Sequence, residues 1–402
     1  MSYDRRTQAH FSRREALLLS LVTSCFSGAP AVATDRQRGL LPSDMARGFG
    51  LPDQVPLRAD RTARDETLRR LRRLGMTHVR LPVVAEYVLP RFSGAATISA
   101  AMDDLDRAVE RLLDIGYSVT VDMHPGADFG QLHERDHESA HRALLDGWPV
   151  LAKRIGQWPH ERIFAELLNE PATVDDVWRP FAETLAKAVR AILPHTFILV
   201  GPAPFHRAEA LARWRPLDDD RIVYVCHFYD PMTFTHQGAI WDANSTWARA
   251  AGVPFPSAAG DPKLLALAND AAGKGDAGLA QELRNMAARA WSAETISAQF
   301  AELGRWSAEH SAPVVVNEFG VLKWKAGRAD RLAWLAATRG AIEAQGFGWA
   351  HWDYDTAFGL LDEAGEIDQG VILALLPETS RSTAPSVNAT KPITTGRERG
   401  TK

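Results

Sequence analysis

The 402-residue chain has just two cysteines, Cys25 and Cys226. Removal of the first 33 residues would leave Cys226 alone, so no intramolecular disulfide holds the mature fold and its core must do so. Long apolar runs are missing as well. The stretch Ala16 to Val22 is too short for the ~20 residues that cross a bilayer, and no later run approaches that length. Excess charge of one sign is absent: 46 Lys and Arg against 50 Asp and Glu leave a formal net charge of −4. That balance suggests no nucleic-acid partner. There is also no glycine-rich phosphate turn after the first strand pattern, because Gly48-Phe49-Gly50 runs straight into Leu51-Pro52. A doubly wound nucleotide-binding sheet is disfavoured accordingly.

Both ends differ in character from the middle. Arg5 and Arg6 lead to Ser12-Arg13-Arg14, then the apolar stretch, then Ala31-Val32-Ala33, the order of a secretory signal with an A-x-A cleavage site. The paired arginines resemble a twin-arginine signal, which exports folded proteins. A second reading is a lipid anchor on Cys25, since Val22-Thr23-Ser24-Cys25 resembles a lipoprotein cleavage box. Residues 1–33 are thus expected to be an export signal, placing the protein in the periplasm or outside the cell. Residues 379–402 are rich in Ser, Thr, Pro, Lys and Arg and are expected to be a disordered tail.

Residues 34–378 alternate short β-rich runs with longer amphipathic ones. Strand patterns occur at 47–50, 77–83, 117–123, 163–168, 197–200, 222–226, 314–316 and 347–352. Helical patterns lie between them, as at Leu105, Val109 and Leu112. Eight strand–helix units in about 340 residues predict an α/β fold, a (β/α)8 TIM barrel forming a single catalytic domain. The segment 232–286 is too long for a simple connection, so a long loop is expected after the sixth strand. It carries Trp241 and Trp247, two of the 12 tryptophans. Trp241 and Trp324 are candidates for stacking on sugar rings, with ordinary packing as the alternative.

Barrel enzymes place catalytic groups at the carboxyl ends of their strands. Here Arg80 ends the second strand pattern, His124 the third and Asn169-Glu170-Pro171 the fourth. His227-Phe228-Tyr229 ends the sixth, Glu318 the seventh and Trp352 the eighth. Six polar or aromatic strand ends in register are not an accident of composition. In this order, the octet Arg80, His124, Asn169, Glu170, His227, Tyr229, Glu318 and Trp352 resembles glycoside hydrolase family 5, the retaining cellulase family. The resemblance covers roughly residues 48–376.

The resemblance implies a glycosidase that needs one protonated and one ionised carboxyl. Glu170 is then the acid/base and Glu318 the nucleophile. Tyr229 donates a hydrogen bond to Glu318, and Arg80 keeps it ionised. His227 orients Glu170, Asn169 bonds the sugar 2-hydroxyl, His124 another hydroxyl, and Trp352 forms the floor. The implied activity is that of a retaining endo-β-1,4-glucanase without metal or cofactor. Its partner is a β-linked oligo- or polysaccharide, with no nucleic acid and no stable protein partner. Other β-glycans, namely mannan, β-1,3-glucan or an exopolysaccharide, are alternatives. The departure Pro125-Gly126-Ala127-Asp128 after His124 keeps the exact glycan open. A sugar-binding barrel without activity is the rival from another class, and both glutamates speak against it.

One motif competes. His133-Glu134-Arg135-Asp136-His137 fits H-E-x-x-H, with His141 one turn later, the pattern with which a zinc protease helix presents ligands on one face. The charged residues around these histidines and the missing downstream ligands make it a poor zincin.

Overall fold

The computed structural model describes residues 41–377. The export-signal, Cys25 and tail readings lie outside the described residues. Eight parallel strands close into a barrel in chain order. They are β1 Arg47–Gly50, β2 His78–Val84, β3 Ser118–His124, β4 Ile163–Glu166, β5 Ile198–Val200, β6 Ile222–Phe228, β7 Val314–Phe319 and β8 Gly348–His351. Each expected strand pattern overlaps one of them, and β2, β3, β6 and β7 run one to three residues past the expected carboxyl ends.

Period-2 alternation divides β4 to β7 between two cores. Phe164, Leu199, Val223, Val225 and Val315 form one cluster with Met45, filling the barrel. Their neighbours Ile163, Ala165, Ile198, Ile222 and Val314 belong to the larger layer between the barrel and its helices. Strands buried on both faces read as continuous apolar runs, which is why this sequence shows β-rich blocks without visible alternation. Leu68, Leu105, Leu144 and Leu185 point from the surrounding helices into that outer layer. Helices Asp65–Leu74 and Ala95–Ile115 each end on a glycine, Gly75 at φ 113° and Gly116 at φ 101°. There the left-handed turn redirects the chain into β2 and β3.

The long connection after β6 is itself folded. It holds helices Pro262–Gly273 and Ala277–Ala287, packed through Leu264, Ala268, Leu279 and Leu283. Asp276 caps the second by accepting from Leu279 N and pairs with Arg249. Among the described residues no helix is long and apolar enough to cross a membrane.

Candidate active site

The filling of the barrel changes from apolar to charged toward its carboxyl end. Arg80, Asp122 and Glu166 occupy successive inward positions of β2, β3 and β4, all with 0% exposure. Arg80 sits lower than a strand end. β2 continues to Val84 because Leu81 to Val84 pair with Val121 to His124, so the guanidinium is enclosed by the barrel. Its Nε and Nη2 donate to Glu166 at 2.8 and 2.9 Å. Nη2 also reaches Asn169 Oδ1 at 2.7 Å and Asp122 Oδ2 at 3.0 Å, and Nη1 reaches Glu318 Oε1 at 2.6 Å. One cation thus organises three carboxylates in a low-dielectric interior, where an unpaired charge is costly. With Asn169 Oδ1 taken by Arg80, the donor end of that amide is left for a ligand.

Glu318 receives a second hydrogen bond, from Tyr229 Oη to Oε2 at 2.9 Å. Burial, reinforced by Glu318, raises the Tyr229 pKa well above its ordinary value and keeps it a donor. β7 has an irregularity that brings Glu318 here. The register with β6 shifts between Cys226 and His227, pairing Val316 with Cys226 and Glu318 with His227. Asn317 is the extra residue of the bulge, and its Nδ2 donates to Glu166 Oε1 at 2.8 Å.

Glu170 lies beyond the end of β4 with a φ of 42°. That left-handed backbone is unfavourable for a side-chain-bearing residue and characteristic of functional sites. His227 Nδ1 is 2.8 Å from Glu170 Oε1 and 3.5 Å from Glu318 Oε2. A carboxylate oxygen of Glu170, one of Glu318 and a ring nitrogen of His227 all lie within 4.8 Å of one another. The two carboxyl groups differ in surroundings. Burial pushes Glu170 up to about 7, against His124 and Arg80, although 31% of its side chain still meets the cleft. Burial also holds His227 neutral, down to about 4.

A cavity of about 210 Å³ opens above these groups. His124, Asn169, Glu170, His227, Tyr229, Glu318 and Trp352 line it, and Arg80 lies beneath. Trp352 stacks parallel to His124 with centroids 5.9 Å apart, and the peptide that follows it is cis. It packs on Gly50, where an added Cβ would come within 2.6 Å of the indole. His124 donates through Nδ1 to Asp122 Oδ2 at 2.8 Å. Burial opposes its imidazolium, but Asp122 outweighs burial and its pKa is raised. Trp241 and Trp247 from the folded connection line the same cavity. Trp324 does not; it stands 39% exposed at the rim, 6.0 Å from Trp241 between ring centroids.

The H-E-x-x-H segment does not form one helix. The chain breaks at Asp136, between helices Ala127–Arg135 and His137–Ile155, and Asp136 caps the second through Ser139 N. His133 and His137 therefore do not share a helical face. Among the described residues, two other donor groups are close enough to share an ion: Glu166, His206 and His227, and Glu170, His227 and Glu318. In the first, Arg80 and Asn317 already donate to the Glu166 oxygens. In the second, Arg80 and Tyr229 occupy those of Glu318. A guanidinium inside both sets opposes a further cation.

Asp122, Glu166, Asn317, His206 and Gly50 belong to this site and were not singled out by motif. A signal existed for two of them. Asp122 and Glu166 are acids inside apolar β runs, on the inward face set by Thr120 and Phe164.

Residues 58–357 match the family model "Cellulase (glycosyl hydrolase family 5)". Endoglucanase 3 of Fibrobacter succinogenes is 29% identical over 283 residues, covering 67% of this chain and 41% of that protein. Cellodextrinase A of Ruminococcus flavefaciens is 28% identical over 192 residues, 46% of this chain and 56% of the relative. The chain thus spans about half the length of these relatives. The fold is similar to that of Thermotoga maritima Cel5A, solved with cellobiose, at a TM-score of 0.67, 22% identity and coverage of 85% and 100%. The same enzyme has been solved with mannotriose. With the family model matching well over half of its residues, the chain belongs to the cellulase family, glycosyl hydrolase family 5.

Proposed function

We propose that this chain is a retaining endo-β-1,4-glucanase, with Glu318 as nucleophile and Glu170 as acid/base. The observation that carries the reading is the pair of carboxyl groups, with oxygens within 4.8 Å of each other but opposite surroundings. Retaining enzymes hold these groups ~5–5.5 Å apart, and inverting enzymes ~6.5–9.5 Å apart to admit a water. Glu318, held by Arg80 and Tyr229, attacks the anomeric carbon as Glu170 protonates the departing oxygen. The pair of electrons from the broken bond goes to that oxygen. Glu170, now ionised, takes a proton from the water that releases the sugar. The free amide donor of Asn169 is suited to the 2-hydroxyl, Nε2 of His124 to a neighbouring hydroxyl, and Trp352 to the face of the reacting ring. Trp241 and Trp324 extend an aromatic surface on which further sugar units stack.

The names of the relatives, endoglucanase and cellodextrinase, favour β-1,4-glucan. Mannan is the second reading, because the similar Thermotoga enzyme also accepts mannotriose in its crystals. Reducing-sugar release from carboxymethylcellulose, mannan and laminarin, each with and without a chelator, tests the proposal. Release from carboxymethylcellulose undiminished by chelation is expected; release from mannan or laminarin alone would transfer the specificity. We also infer export through residues 1–33, on the paired arginines and the A-x-A site. Activity retained in the cytoplasm of the native host would overturn that.

A further inference from the structure

His206 lies directly behind the proposed acid/base pair. It follows β5 in a left-handed turn, with φ 60° at Phe205 and 53° at His206, conformations that side-chain-bearing residues avoid unless the surroundings impose them. Its ring packs against Gly201, where an added Cβ would come within 2.6 Å of it. Its carbonyl accepts from His227 N at 2.7 Å. The imidazole is buried, yet neither ring nitrogen has a partner among the described residues. Nε2 of His227 has none either. The two rings meet edge to face with centroids 5.1 Å apart. One nitrogen of each and one oxygen of Glu166 lie within 4.8 Å of one another.

The tautomer of a histidine is set by the bonds its two nitrogens make. Nδ1 of His227 faces Glu170 Oε1 and Glu318 Oε2, so the proton belongs there. Nε2 is then a bare acceptor in a buried place, and an unsatisfied buried acceptor is unfavourable. His206 is the neighbouring group able to donate. A span of this size is closed by one bridging water, which needs two to four polar partners and finds three here.

We propose that His206 is a positioning residue for the acid/base. By donating toward Nε2 of His227 through one water, it locks the proton on Nδ1. Oε1 of Glu170 is then always an acceptor, and the catalytic proton is left on Oε2. Without His206 the flipped tautomer becomes competitive, with a bare Nδ1 that captures the Glu170 proton on the wrong oxygen. This inference rests on the acid/base role of Glu170. The other charged or titratable groups facing the assembly are Arg80, Asp122, His124 and Tyr229.

The test compares His206→Phe with His206→Gln, which keeps a donor. For His206→Phe, kcat/KM on cellotetraose should fall ~10-fold or more, while glycosylation by dinitrophenyl cellobioside, which needs little acid, should change less than ~3-fold. The Nδ1–H bond favours the ionised form of Glu170, so losing it should move the basic limb of the pH profile upward. A pocket merely loosened would admit water and move that limb downward. His206→Gln should restore most of the cellotetraose activity and so abolish most of this split. Equal losses on both substrates, or a downward shift, would overturn the proposal. Should the variants not fold, 15N-histidine spectra of the unaltered protein decide independently, with His227 assigned by substitution. Nδ1–H is expected at neutral pH, and Nε2–H would overturn the inference. Glu170→Gln separates the two levels: if it leaves cellotetraose turnover intact, the acid/base assignment itself fails.

Discussion

Nη1 of Arg80 lies 2.6 Å from Oε1 of Glu318, while the other arms of the same guanidinium hold Glu166 and Asp122. The proposed nucleophile is thus oriented by a residue anchored below it, in a layer with no access to solvent. Positioning and stability come from the same atoms. Arg80→Lys keeps the charge but loses the planar fork, so it cannot serve three carboxylates at once. Steady-state kinetics should show kcat reduced ~100-fold with KM changed little. Arg80→Met leaves buried carboxylates uncompensated and should cost ~3–5 kcal/mol in urea unfolding. Near-normal kcat in Arg80→Lys would mean that the charge alone matters.

The pH dependence follows from Glu170. Its pKa is raised to about 7 by burial, so the acid form is available at neutral pH and lost above it. The basic limb of kcat/KM should fall near pH 7, and Glu170→Gln should abolish that limb. The sign for stability is fixed by the same shift. A carboxyl with a raised folded pKa contributes stability that is full below its unfolded pKa and is lost as pH rises through the folded value. Glu170→Gln should therefore gain in relative thermal stability between pH 5 and 8. An unchanged difference across that range would contradict the raised pKa.

Gly50 tests the floor of the site. A methyl group there would enter the indole of Trp352. Gly50→Ala should displace Trp352, tilt the reacting sugar and reduce kcat/KM ~10- to 100-fold, with a stability cost of ~1–3 kcal/mol from overpacking. Tryptophan fluorescence and kinetics on cellotetraose report the two effects. Full activity would show that the floor tolerates movement.

The eight strands and their order could be read from the chain because each barrel strand is an apolar block separated by amphipathic helix. The octet was legible because Glu318, Trp352 and their companions interrupt or follow such blocks where polarity has no packing use. Asp122 and Glu166 carry the same signal but sit inside the blocks. In a strand buried on both faces, the inward face is not marked by alternation. His206 and Asn317 depend on features that leave no local trace, a left-handed turn and a bulge. The break at Asp136 was written in a residue: an Asp before His137-Glu138-Ser139 is an N-cap, yet H-E-x-x-H spacing invites a continuous helix.

That break makes a prediction about metal. With His133 and His137 on different helices, His137→Ala should change stability by less than ~0.5 kcal/mol and leave turnover intact. Exhaustive chelation should leave turnover unchanged in both proteins. Activity lost on chelation and restored by zinc in the parent but not in His137→Ala would make these histidines ligands.

The roles of Glu170 and Glu318 can be exchanged on paper, and stereochemistry distinguishes them. If Glu318 forms the covalent bond, Glu318→Ala should hydrolyse every β-glucoside poorly, however good its leaving group. Glu170→Ala should still be glycosylated rapidly by dinitrophenyl cellobioside, which needs little protonation, and then stall because no base activates water. Azide requires no base. Added to Glu170→Ala, it should restore turnover by attacking the glycosyl-enzyme, and the product should be the β-glycosyl azide. In Glu318→Ala, azide occupies the space of the missing carboxylate and attacks the substrate from the opposite face, giving the α-glycosyl azide. NMR of the anomeric proton reads the two products directly. Products of the reverse configuration would exchange the two assignments, and normal turnover in either variant would remove that residue from the mechanism.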